Sequence, residues 1–301
     1  MAPANVAFTN KEKRMGKDNM KRFVIYSAII GQYDNPLQPA VVDDRFEYVL
    51  FSNYLPEGKM GVWQIKRIDY VNPIQTKIAR YVKTHPESLL PQYEASLWLD
   101  ANIRIKNQCV YDRFVELVEK KVAVASIKHV LCDCVYEELF NVLDFHYERE
   151  KTVVDWGHLL RNRDYPKHNG IIETGMLFRM HTRDDVKEMD ALWWKYIENY
   201  SRRDQLSFPL VLKECGMRCE YFLPEGKTVR DFEGTELVKH RNETTKFAPS
   251  EKPAWLMHHY HKHHEDKEKV FNLYYWIYGR HCPMLWAKVL GQYYRLVDRL
   301  S

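Results

Sequence analysis

The sequence lacks any apolar run of about 18 residues, so it offers no membrane-spanning helix. Its opening stretch, MAPANVAFTNKEKRMGKDNMKR, lacks the apolar core of a secretory signal, and a cytoplasmic location is the expectation. Cysteines number only six in 301 residues and are scattered, which suits reduced thiols rather than a disulfide framework. Walker loops, GxGxxG turns, GxSxG elbows and H-E-x-x-H helices are all absent, as are internal repeats and low-complexity tracts. Disordered, collagen-like and coiled-coil classes are excluded by the composition. An excess of one charge is nearly absent too. The net charge of +4 matches what residues 11–22 alone carry: Lys11, Lys13, Arg14, Lys17, Lys21 and Arg22 against Glu12 and Asp18. The remainder is near neutral, and net charge gives no support for a nucleic-acid partner. Residues 1–21 read as a solvated, disordered basic tail, with an anionic lipid surface as the lesser alternative.

What the chain has is apolar and aromatic material, 45% and 14% of its residues, enough for one large domain or two small ones. RFVIYSAII (Arg22 to Ile30) is a short apolar run followed by Gly31 and Pro36, the pattern of a buried strand entering a loop. Further strands are expected at Glu47 to Asn53, Val62 to Ile68, Ser96 to Ile105 with a polar break at Asp100 to Asn102, Val122 to Ile127 and Gly170 to Met180. Helices are expected at Pro73 to Thr84, Cys109 to Lys121, Cys132 to Glu148, Asp184 to Tyr200 and Asp204 to Cys215, the last closed by Gly216. Residues 225–252 read as polar loop, and Val270 to Ser301 as helices broken at Gly279 to Pro283. Strands alternating with helices predict an α/β fold, a mostly parallel sheet flanked by helices, with a C-terminal helical extension.

Several groups carry candidate chemistry. In SLWLDANIRI an apolar strand delivers Asp100 and Asn102 to a strand end, the usual ligand position in open α/β sheets. Two oxygen-bearing side chains one residue apart point the same way and suit a hard divalent cation on a diphosphate; a simple Asx turn is the alternative. Glu173, inside an apolar strand beside Gly175, needs a partner or a ligand. Asp204 has a structural alternative, since Ser201 three residues earlier gives the spacing of a capping box. His258, His259, His261, His263 and His264 form a cluster whose alternate members would share a strand face and ligate a transition metal, or else a solvated loop. The pairs Cys132/Cys134 and Cys215/Cys219 lack zinc-knuckle spacing and read as structural thiols. The aromatic, mildly basic C-terminus suits domain packing, a homodimer seam or a peripheral membrane contact.

YSAIIGQYD, SLWLDANI, ETGMLFR and WW…RDQLSF, in this order, resemble a glycosyltransferase-like family found in bacterial polysaccharide clusters and in plant wall and mucilage proteins. More broadly they resemble nucleotide-sugar glycosyltransferases of the GT-A fold. The resemblance spans about Phe23 to Gly216 and implies a GT-A-like domain, here 22–264, before an extension at 265–301. It implies transfer of a sugar from a nucleoside diphosphate, UDP- or GDP-linked, to a glycan or lipid-linked glycan, with Mn²⁺ or Mg²⁺. Carried onto this sequence, Tyr26, Ser27, Ile29, Gly31 and Tyr33 would line the base pocket, with Ser52 and Asn53 opposite. Arg80 and Lys83 would reach the phosphates. Asp100, Ala101 and Asn102 would meet ribose, phosphate or metal, and Gly175 and Gln205 would flank the sugar. Glu173 and Asp204 are the carboxylates to test as catalytic. Asn102 departs from the second Asp of the usual motif; His259 or His261 would then complete the metal site. A metal-dependent hydrolase built on the histidine cluster, and a binding protein without catalysis, stay open as rivals.

Overall fold

A computed structural model describes residues 22–242 and, further on, the helical residues Trp276, Val289, Gln292 and Leu296. The basic tail, the histidine cluster and, apart from those four residues, the C-terminal extension lie outside the described residues. Residues 22–242 hold ten strands and seven helices. The strands are β1 (Phe23–Ile29), β2 (Phe46–Ser52), β3 (Gly58–Met60), β4 (Trp63–Arg67), β5 (Ala95–Leu99), β6 (Ile103–Ile105), β7 (Val124–Lys128), β8 (Ile172–Arg179), β9 (Glu220–Tyr221) and β10 (Thr235–Leu237). The helices are α1 (Gln75–Thr84), α2 (Pro86–Leu89), α3 (Cys109–Glu119), α4 (Val135–Asp144), α5 (Glu150–Asn162), α6 (Asp184–Asn199) and α7 (Asp204–Glu214).

Eight strands form one sheet in the order β3-β4-β2-β1-β5-β8-β7-β9. β4, β2, β1 and β5 run parallel, and β8 runs against both β5 and β7. This is the α/β, GT-A-like layout expected from the resemblance: a mostly parallel sheet whose order reverses about β1. The period-2 alternation of a strand divides β1 between two cores. Val24, Tyr26 and Ala28 pack with residues of α1 and α4–α7, while Ile25 and Ile29 pack with Val110, Phe114 and Leu117 of α3. Both faces are covered, which is why the central strands read as nearly unbroken apolar runs.

Within residues 22–242 the expected elements appear, with ends that coincide or shift by up to four residues. The expected Cys132 to Glu148 helix is shorter, because Cys134 is extended and α4 ends at Asp144. Helix α5 was not anticipated. Its apolar positions Val153, Val154, Trp156 and Leu160 are interleaved with charge, so the run never looks hydrophobic. In the stretch expected to be loop, β10 pairs antiparallel with β6, three residues long and held by backbone bonds that composition does not signal.

A buried ion pair ties β8 to α6: Arg179 Nη1 lies 2.6 Å from Asp190 Oδ1, and neither side chain has appreciable exposure. Burial, opposed by Arg179, pushes the Asp190 carboxyl up to about 7. Arg179 also contacts the Tyr26 hydroxyl and the Lys83 carbonyl, so this pair anchors β1, α1, β8 and α6 together. Removing one partner leaves an uncompensated buried charge. Asp190→Ala should lower stability by about 3–5 kcal/mol in urea unfolding; a change under about 1 kcal/mol would show that the pair does not anchor the fold.

Candidate active site

The parallel strands deliver their carboxyl ends to one edge of the sheet, and the antiparallel β8 brings its first residues to the same edge. Asp100 follows β5 there; its backbone N–H donates to Gly175 O at 2.8 Å, which locks β5 to β8 beside the site. Its carboxylate spans the sheet. Oδ1 accepts from Trp98 Nε1 at 2.8 Å and lies 3.6 Å from Arg80 Nη1 and 3.8 Å from Lys83 Nζ. Oδ2 faces Gly175, where a Cβ would come within 3.3 Å of it and within 3.2 Å of Ile103 Cδ1. Glycine therefore keeps β8 close to this carboxylate.

On one side of the sheet, Arg80 and Lys83 stand three residues apart on α1 and meet Asp204 at the start of α7. Lys83 Nζ lies 2.5 Å from Asp204 Oδ2, and Arg80 Nε lies 3.0 Å from Oδ1 as an ion pair without hydrogen-bond alignment. Thr174 Oγ1 donates to Oδ2 at 2.8 Å. Burial acts most strongly on Asp204 and pushes its carboxyl up. The charges of Arg80 and Lys83 and the hydrogen bonds from Lys83 and Thr174 outweigh it, so the group lies well below the usual carboxylate range. Burial draws the Lys83 ammonium below its ordinary value, with Asp204 and Asp100 opposing. That ammonium sits 5.5 Å from the Trp98 ring and 5.6 Å from the Trp193 ring, with no exposed surface. Arg80 keeps 15% exposure and is the cation through which this cluster reaches solvent.

Glu173, before Gly175 on β8, faces His129 just beyond the end of β7. Their nearest atoms, Oε1 and Nε2, are 3.9 Å apart. His129 Nδ1 accepts from the backbone amides of Leu131 (3.3 Å) and Cys132 (3.0 Å), which leaves the ring proton on Nε2, toward the carboxylate. Burial raises the Glu173 carboxyl above its ordinary value, opposed by His129 and Arg230, while Glu138 and Asp231 add to the rise. A carboxylate tuned upward and partly exposed has the character of a general base.

The β6–β10 pairing returns the chain past the site. Val238 N–H donates to Asn102 O at 2.8 Å, and Asn102 Nδ2 lies 3.2 Å from His240 Nε2. His240 Nδ1 meets both oxygens of the buried Asp34 at 3.0 and 2.9 Å. A carboxylate only accepts, so the proton is on Nδ1 and the Nε2 lone pair faces Asn102, the tautomer of a metal-ligating histidine with a carboxylate behind it. Asp100, Asn102 and His240 thus offer hard oxygens and one imidazole, a donor set that fits Mn²⁺ or Mg²⁺. Among the described residues no group of three or more His, Cys, Asp or Glu forms a metal cage by itself. A cation here would depend on phosphate oxygens for its remaining ligands, as such ions commonly do.

The other expected site residues divide. Tyr26 is corrected: it has no exposed surface, its ring packs edge-on against Trp98 at 5.2 Å, and its hydroxyl donates to Lys83 O, so it lines no pocket. Ser52 is corrected likewise, because its buried hydroxyl donates to Ile29 O and accepts from Tyr54 and Leu55 amides in a turn. Lys83 has no surface with which to touch a ligand. Ser201 is not the cap of α7: the cap position is Arg203, and Ser201 Oγ donates to Glu148 instead. Ser27 and Ile29 are buried and, with Leu99, Asp100 and Ala101, line a small void beneath the site. Gly31 takes φ +62°, the left-handed region that glycine favours, and donates to Asn53 Oδ1 at 2.8 Å. The Tyr33 ring lies 4.6 Å from the His240 ring, and Gln205 is half-buried in the first turn of α7. His259 and His261 lie outside the described residues. His129, Asp34 and His240 were missed; Asp34 and His240 are 206 residues apart and only tertiary pairing joins them. Cys109, Cys132, Cys134, Cys215 and Cys219 are free, as expected.

The family profile described as TOD1/MUCI70, glycosyltransferase-like domain matches residues 41–229. No curated protein matches the chain. Among solved structures, a WbbM bifunctional glycosyltransferase in its apo form is similar at 10% identity and TM-score 0.40, over 69% of this chain and 39% of that one. The mannosyltransferase Ktr4p of S. cerevisiae is similar at 13% identity and TM-score 0.39, over 68% of this chain and 69% of that one. The chain therefore spans less than half the length of the WbbM chain.

The Asp204 cluster has a signature in pH. Its folded carboxyl titrates below the unfolded one, so its contribution is complete above the ordinary value near 3.8 and is lost as pH falls toward the folded value. Wild-type urea stability should decline below about pH 4 more steeply than that of Asp204→Asn, which should be weaker at pH 7 by about 3–5 kcal/mol. Equal slopes would mean that Asp204 is not held charged by its partners.

Proposed function

The chain belongs to the TOD1/MUCI70 glycosyltransferase-like family, and from that premise we propose that it transfers a sugar from a nucleoside diphosphate sugar to a glycan or lipid-linked glycan. One observation carries the reading: Asp100, at the carboxyl end of β5, lies 3.6 Å from the partly exposed Arg80 and 3.8 Å from Lys83. A diphosphate needs cations at the edge of a sheet, and Arg80 offers guanidinium N–H groups to its oxygens. Lys83 acts from beneath through its field, in a setting where burial strengthens it.

Glu173 takes the proton of the acceptor hydroxyl as that oxygen attacks the anomeric carbon. The bond from that carbon to the diphosphate breaks, and the diphosphate leaves with the electron pair. Arg80 and Lys83 meet the charge that grows there. Asp204, already saturated by Arg80, Lys83 and Thr174, positions the two cations and moves no proton. Asp100, Asn102 and His240 would hold Mn²⁺ or Mg²⁺. That cation, when bound, neutralises the departing diphosphate. No helix among the described residues is long and apolar enough to cross a membrane; cytoplasmic placement, free or peripheral at a membrane, goes with the proposal.

A thermal-shift panel of UDP, GDP and CDP, with and without Mn²⁺, tests donor binding. One nucleotide should stabilise the wild type by about 2.7 kcal/mol at a hundred times its Kd, and Asp100→Ala should lose that shift. A flat panel removes the donor reading. With the donor identified, Glu173→Gln should retain its shift yet turn over at least about 100-fold slower. Since Glu173 must be deprotonated and titrates above its ordinary 4.5, wild-type activity should fall on the acid side at a pH above that value. An acid limb at or below 4.5 would assign the base elsewhere.

A further inference from the structure

Trp98 and Asp100 stand two residues apart at the end of β5, and in extended chain such residues share a face. The Trp98 indole is buried, with its ring edge-on to Tyr26 at 5.2 Å and Lys83 Nζ over its face at 5.5 Å. Its Nε1–H donates to Asp100 Oδ1 at 2.8 Å. One rigid ring therefore carries a cation on its face and a carboxylate at its edge. Among the described residues this is the one hydrogen bond that the Asp100 carboxylate accepts. Its other oxygen, Oδ2, is turned toward Gly175.

The consequence is a spacing. A carboxylate and a cation free to meet close to about 2.7–2.9 Å. Lys83 and Arg80 do approach Asp204 in that way, at 2.5 and 3.0 Å, yet they stop 3.8 and 3.6 Å from Asp100 Oδ1. The same two cations are thus in contact with one carboxylate and held short of the other, and the other is the one tied to an indole. We propose that Trp98 is a positioning residue of the donor site: its N–H holds Asp100 back from Arg80 and Lys83, and the gap so kept is where a divalent cation and a diphosphate oxygen enter. Without the N–H, Asp100 closes on Arg80, takes up the guanidinium and turns away from the cation it would bind. The spacing stands on the geometry alone; what enters the gap rests on the glycosyltransferase reading.

The test uses Trp98→Phe, which keeps an aromatic ring and removes the N–H. Binding of UDP and of GDP is measured by calorimetry over a range of Mn²⁺ concentrations, on wild type and variant, with melting curves for both. The Mn²⁺ concentration for half-maximal nucleotide binding is expected to rise about tenfold or more in the variant. Saturating Mn²⁺ should restore nucleotide affinity to near the wild-type value, because the ion draws Asp100 back. A mere packing defect would weaken binding equally at every Mn²⁺ concentration, and that result overturns the proposal. An equal Mn²⁺ requirement in the two proteins overturns it too and leaves the donor reading intact. Should Trp98→Phe fail to fold, the assigned indole N–H resonance of Trp98 is compared in ligand-free wild type and Asp100→Asn. It should move upfield when the charged acceptor is lost; a resonance that stays in place overturns the contact. No nucleotide binding by the wild type removes the donor reading and the occupant of the gap with it, and the indole shift then decides the spacing alone.

Discussion

Asp204 is a carboxylate buried between two cations of another helix, and most of the site depends on that contact. Without it Arg80 and Lys83 would be two like charges one turn apart, one of them wholly enclosed. With it they are held at the sheet edge, 3.6 and 3.8 Å from Asp100. Thr174 joins the same carboxylate from β8. Helices α1 and α7 and strands β5 and β8 therefore meet through one group of charges. The cost of burying them is offset only while every partner is present. The proposed transfer would need positive charge held in advance where a diphosphate leaves, and this arrangement would supply it without reorganisation.

The two faces of the sheet then divide the work. One face holds the cations, braced by Trp98 and Trp193. The other holds Glu173 with His129, and further along Asn102 with His240 and Asp34. Asp100 spans both, one oxygen toward the cations and the other toward Gly175. The alternation of β8 makes the separation possible: Thr174 faces Asp204, while Glu173 faces His129.

The sheet was legible in the sequence because strands covered on both faces are continuous apolar runs, as in RFVIYSAII and SLWL. Asp100, Glu173 and Gly175 stand out because charge or glycine interrupts such patterns, whereas Arg80, on a helix, stands out only through the resemblance. The purpose of Asp204 was not legible. A carboxylate at a helix start looks like a cap or a base, and only packing shows two cations closing on it. The resemblance implies a pocket role for Tyr26 and Ser52, yet Tyr26 lies mid-strand beneath Trp98 and the Lys83 carbonyl, and the Ser52 hydroxyl is taken up by Ile29 O. His240 stands in polar sequence without periodicity, and the denser histidine cluster near residue 260 is the stronger signal in the sequence. Its position follows from three residues of β10 pairing with β6, which no local pattern announces.

The central claim is that Arg80, held by Asp204, receives the departing diphosphate. The most direct measurement is release of nucleoside diphosphate from UDP- and GDP-sugars, with Mn²⁺ and a glycan acceptor, by the wild type and by Arg80→Gln. The account predicts release from one donor class by the wild type, and a loss of about 100-fold or more in a variant that still melts cooperatively. Equal release by the two proteins, or none from any donor, would contradict it.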